Sequence, residues 1–110
     1  MPTLKIDKGN WQTYLDRISR QLGGEAEIEI DALSIGSQVE AKWVPLFGIS
    51  YDKNDDAIDV ILEGLDHRIA HPVELFVDQT GTEVHSLEVL DGDNARHVIK
   101  LRAPLMLPAP

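Results

Sequence analysis

The chain reads as an α+β protein: an N-terminal amphipathic helix, then a five- to six-stranded, mainly antiparallel, bent sheet. Three features carry that reading. Before Gly23-Gly24 the apolar residues recur every three to four positions. Beyond that pair they recur every two. Clusters of Asp, Asn and Gly then punctuate the chain at short intervals, which favours hairpins and therefore antiparallel pairing.

Thr3 to Ile6 forms a short extended lead-in. Trp11, Leu15, Ile18 and Leu22 fall on one stripe of a helix, with Gln12, Thr13, Asp16 and Arg20 mainly on its other side. Asn10 is the expected N-cap, with Lys8 or Gly9 as other starting points, and Gly23-Gly24 is the stop. Ala26, Ile28 and Ile30 alternate with Glu25, Glu27, Glu29 and Asp31, the mark of a half-buried strand with one wet, acidic face. That acidic row also discourages edge-to-edge pairing.

After a turn at Gly36-Ser37, a second strand runs from Gln38 to Val44. Pro45 cannot donate to a ladder, so it marks a bulge, bend or edge before the strand resumes over Leu46–Tyr51. Asp52 to Asp56 is turn chemistry. Ala57–Glu63 is a strand, and Gly64 to Pro72 is expected as a loop or one helical turn. Val73–Val77 and Glu83–Leu90 pair through the Gln79–Thr82 turn, and Asp91–Asn94 leads into a last strand, Arg96–Arg102. One helix covers one face of such a sheet. Curling into a small SH3- or Sm-like barrel would protect the other, and an open sheet is the alternative. Trp11 and Trp43 are both expected in the core.

Length fits one domain over residues 1–102, followed by an apolar tail over 103–110 with three prolines. There are no cysteines, which excludes disulfide scaffolds and thiolate zinc sites. The formal net charge is -9, with 19 acidic residues against 10 basic. Such a surface repels nucleic acid and anionic membranes. The first 22 residues go against this trend, with Lys5, Lys8, Arg17 and Arg20 against Asp7 and Asp16. Met1 to Lys8 has no apolar run of the secretory kind, so the expected location is the cytoplasm.

Few constellations suggest chemistry. In Asp66-His67-Arg68-Ile69-Ala70-His71-Pro72 the two histidines stand four apart, the spacing that on a helix presents two imidazoles to one metal. Asp66, His67 and His71 are therefore the candidate ligand or metal residues. Pro72 disfavours helical geometry at His71, and the intervening Glu of a zinc protease is missing. His85 and His97, on neighbouring strands, are a candidate cross-strand pair. Asp52, Asp55, Asp56 and Asp59 lack the glycine and closing Glu of a calcium loop. No nucleophile elbow or phosphate-binding glycine loop is present, and no cofactor is expected. Leu105, Met106 and Leu107 are the candidate interaction residues, because leaving them in water costs about 1.5–3 kcal/mol per side chain.

Several runs together resemble a small, acidic bacterial family of unknown function. They are Trp11-Gln12-x-Tyr14-Leu15-Asp16-Arg17, Pro45-Leu46-x-Gly48-Ile49-Ser50-Tyr51-Asp52, Asp66-His67-x-Ile69-x-His71-Pro72, Ser86-Leu87-Glu88-Val89 and Leu101-Arg102-x-Pro104-Leu105-x-Leu107-Pro108. The resemblance spans nearly the whole chain and implies no catalytic residues. The expected role is a non-enzymatic binding or adaptor domain that self-associates or docks a basic protein partner. The alternative is a metal- or small-ligand-binding domain, enzymatic or not, built on Asp66, His67 and His71.

Overall fold

The computed structural model describes residues 3–19, 24–33, 36–81 and 83–102. Strand β1 (Thr3–Ile6) leads through a 3-10 turn, Lys8–Asn10, into helix α1 (Trp11–Ser19). Seven strands follow: β2 (Glu25–Ala32), β3 (Gly36–Asp52), β4 (Ala57–Leu62), β5 (Leu65–Ala70), β6 (Pro72–Thr80), β7 (Glu83–Asp91) and β8 (Arg96–Arg102). They form one eight-stranded sheet in the order β1-β6-β7-β8-β2-β3-β4-β5, with every pair antiparallel.

Trp11, Leu15 and Ile18 are buried, as the helical stripe requires, while Gln12, Thr13, Asp16 and Arg17 face solvent. Leu22, the fourth stripe position, lies outside the described residues, as does the tail with Leu105, Met106 and Leu107. The helix docks on β3. Ser19 Oγ donates to the Ile49 carbonyl (2.6 Å) and accepts from the Ile49 N–H (2.9 Å), occupying backbone groups that β2 no longer reaches. Trp11 donates its indole N–H to the Ile6 carbonyl and meets Tyr51 edge to face, with ring centroids 5.3 Å apart.

Two corners fold this sheet on itself. The first is in β3, which pairs with β2 as far as Pro45 and with β4 from Leu46 onward. The register slips on both sides of the change, and Trp43 has a φ of 52°, rare for a bulky side chain. The second corner is His71, at φ 51°, where the chain leaves β5 and enters β6. Alternate positions of both halves, among them Ile28, Leu75, Leu87 and Ile99 on one side and Ile49, Val60 and Ile69 on the other, enter a single core.

Three expectations are corrected. The sheet has eight strands rather than five or six, because Thr3–Ile6 pairs with β6 and the segment expected as a loop is β5. The order is open: β1 and β5 hold its two ends and do not pair with each other, so the sheet turns corners instead of closing as a barrel. Trp43 is only half buried. Its left-handed backbone turns the ring outward, under the Arg102 guanidinium at 4.4 Å.

Candidate functional site

The strand β5 carries Leu65, His67 and Ile69 on one face and Asp66, Arg68 and Ala70 on the other, as period two dictates. Ile69 is fully buried, so His67 shares the core-facing side. In β8 the buried Ile99 places His97 on the core-facing side too, opposite Val89 of β7 and Ile30 of β2. His67 and His97 therefore approach each other from the two halves of the folded sheet. His67 Nε2 lies 3.0 Å from His97 Nδ1, a hydrogen bond between strands that share no ladder.

His97 is the one buried polar or charged side chain among the described residues, at 6% exposure. Its other nitrogen, Nε2, is 2.9 Å from Asp91 Oδ2. Asp91 closes the β7–β8 turn, where its Oδ1 accepts the N–H groups of Asp93 (2.9 Å) and Ala95 (3.0 Å). Burial alone would raise the Asp91 pKa. The hydrogen bonds from His97 and the two amides outweigh it and hold the carboxyl below its usual range. An ionised carboxylate only accepts, so His97 carries its proton on Nε2 and presents a lone pair at Nδ1. That lone pair accepts from His67 Nε2–H. The sequence of bonds is Asp91–His97–His67, with His67 Nδ1 the remaining basic atom.

The His67 pKa is pushed below its ordinary value chiefly by burial and further by the neighbouring His97, while Glu40 of β3 pulls it the other way. The imidazole is thus neutral at pH 7. The same turn is tied to the second corner, since Gly92 N–H donates to the His71 carbonyl at 2.9 Å.

The candidates from sequence separate in space. His67 turns inward to His97, whereas His71 stands in solvent, its side chain 78% exposed, with Nδ1 3.6 Å from Asp56 Oδ2. Asp66 lies on the outer face of β5. A four-residue spacing joins side chains on a helix and divides them on a strand that ends in a corner. Among the described residues no group of three or more His, Asp or Glu side chains is arranged to hold a metal ion. His85 is exposed and lies beyond Leu87 from His97, so those two do not pair.

A second ionic cluster sits at the β3–β4 turn. Tyr51 donates to Asp56 Oδ1 (2.7 Å), and Lys8 Nζ reaches the same oxygen (3.2 Å). Burial, reinforced by Asp56, pushes the Tyr51 pKa up to about 12. Arg68 clamps the outer face of β5 to β4 through Asp59 (3.1 Å) and to this turn through Asp55 (3.0 Å).

A family model described as a family of unknown function (DUF5335) matches residues 2–110. That match agrees with the resemblance read from the sequence motifs. An uncharacterized protein of Aquifex aeolicus (strain VF5) is 34% identical over 110 residues, covering 98% of this chain and 99% of its own length. No solved structure matches.

Proposed function

Since the chain belongs to DUF5335, a family of unknown function, it inherits no activity, and we propose from the geometry that it is a non-enzymatic binding domain with a proton-operated latch. The observation that carries this reading is the 3.0 Å contact between His67 and His97, which ties β5 to the opposite half of the sheet through a carboxylate-anchored imidazole.

A proton added at His67 Nδ1 is disfavoured by burial and by the neighbouring His97. The resulting imidazolium still donates to His97 Nδ1 and is only partly offset by Glu40, while Asp91 lies on the far side of His97. A second proton must take the His97 lone pair, which removes the hydrogen bond and sets two cations 3.0 Å apart. Acid therefore weakens the latch through His67. The remaining well-placed ionic groups hold strands together: Arg68 serves Asp55 and Asp59, and Asp56 serves Tyr51 and Lys8.

The linkage has a definite sign. His67 binds its proton less readily folded than unfolded, so the unfolded chain takes up more protons as pH falls through 6.5. Stability is complete above that pH and declines below it until the folded-state value is passed. Urea midpoints measured from pH 8 to pH 5 test this. A falling midpoint that becomes flatter in His67→Gln supports the latch, and identical slopes in the two proteins refute it.

The second reading rests on His97 being oriented by a carboxylate, the arrangement that often supports a metal-bound imidazole. It places a divalent ion between His67 and His97, completed by water, rather than on Asp66 and His71. Calorimetric titration with zinc, compared between wild type and His97→Gln, distinguishes it from the latch.

A further inference from the structure

We infer that the outer edge of β5 is a docking site for an extended, basic peptide segment of another protein. This inference rests on the binding-domain reading but not on the latch. Strand β5 ends the sheet order, paired with β4 on one side and with no strand on the other among the described residues. A strand in that position offers a row of backbone donors and acceptors that an added strand can pair with.

The chemistry around the edge selects the partner. Residues 46–70 carry six acidic side chains and two basic ones, nearly half the excess negative charge of the chain within less than a quarter of its length. Lys53 lies in the turn, and Arg68 is already held by Asp55 and Asp59. Glu63 and Asp66 at the β4–β5 turn are exposed. One apolar side chain stands at the same turn, Leu65 at 37% exposure. Backbone pairing would supply affinity, the carboxylates would attract lysine or arginine, and Leu65 would receive an apolar side chain.

The opposite edge lacks this character. β1 carries Lys5, already bound to Glu74, and leads toward Lys8. A basic segment finds fewer free carboxylates there than at β5.

The test uses the full chain, isotopically labelled, at pH 8, where the latch is closed. The probe is a capped seven-residue peptide alternating lysine with valine or leucine, compared with its glutamate counterpart. The inference predicts amide shifts concentrated on β5 and the β4–β5 turn. It also predicts affinity that drops about tenfold between low and physiological salt, and about fivefold in Glu63→Lys/Asp66→Lys. Equal binding of the glutamate peptide, shifts centred on β1, no shifts at millimolar peptide, or self-association through β5 would each overturn it. Because His67 is neutral at that pH, such a failure leaves the latch standing. An unchanged acid limb in the stability profile would remove the latch alone.

Discussion

Two histidine–carboxylate pairs lie near the corner where β5 turns into β6, and they differ in burial and geometry. His97 and Asp91 meet at 2.9 Å with side chains 8% and 14% exposed, and a second imidazole continues the chain. His71 and Asp56 meet at 3.6 Å with side chains 78% and 35% exposed. Water screens the second pair and competes for its hydrogen bonds, so protonating it changes little in the fold. The first pair has no such alternative. A proton there must be accommodated by rearranging the groups that join the two halves of the sheet. The contrast teaches that burial, rather than residue type, decides which histidine is coupled to structure.

The largest expected effect breaks the inner pair. His97→Ala leaves Asp91 and His67 both without their partner and opens a small cavity, so it should cost about 2–4 kcal/mol in urea unfolding at pH 7.5. His67→Gln removes one end of the chain and should cost about 1 kcal/mol, with the acid limb of stability flattened below pH 6.5. The outer pair is expected to be nearly silent. His71→Asn keeps a residue that tolerates the left-handed backbone, and its stability should stay within about 0.5 kcal/mol of wild type. A cost for His71→Asn comparable to that of His97→Ala would erase the distinction.

The alkaline side sharpens the comparison through Tyr51, whose hydroxyl joins the outer carboxylate to the core. Its folded pKa is raised from 10.0 to about 12, so its contribution is complete below pH 10 and is lost as pH rises toward 12. Tyr51→Phe should remove that alkaline decline in the urea midpoint while leaving the acid limb unchanged.

Much of the architecture was written in local pattern. The stripe of Trp11, Leu15 and Ile18 announces the helix, and Ala26 and Ile28 alternating with glutamates announce β2, because one face of each element is buried alone. The turn clusters at Asp52–Asp56 and Asp91–Asn94 stand where hairpins form. β5 was hidden for a physical reason. Its inward positions are Leu65, His67 and Ile69, and a histidine in the middle erases the apolar alternation. The following Pro72 also reads as loop punctuation, although it opens β6 just past a corner. Trp43 misled in the opposite way. Its size suggests a core residue, but a bulge with positive φ reverses the side to which it points.

The candidate site was legible only in part. His67 was singled out from its spacing to His71, but its actual partner lies 30 residues further on, in a strand of the other half. Periodicity reports which face a residue occupies within its own sheet. It does not report which inward residues of two sheets meet once corners fold them together. The one available signal was His97, a histidine occupying an inward position in line with Ile99 and Leu101.

The most direct test of the latch is nitrogen-detected NMR of the labelled imidazoles as pH is lowered from 8 to 5. The account predicts that His97 holds its proton on Nε2 throughout the neutral range, with a scalar coupling across the bond from His67 Nε2 to His97 Nδ1, and that His67 titrates below 6.5. A His97 protonated on Nδ1, or two histidines titrating independently at the ordinary value with no coupling between them, would contradict it.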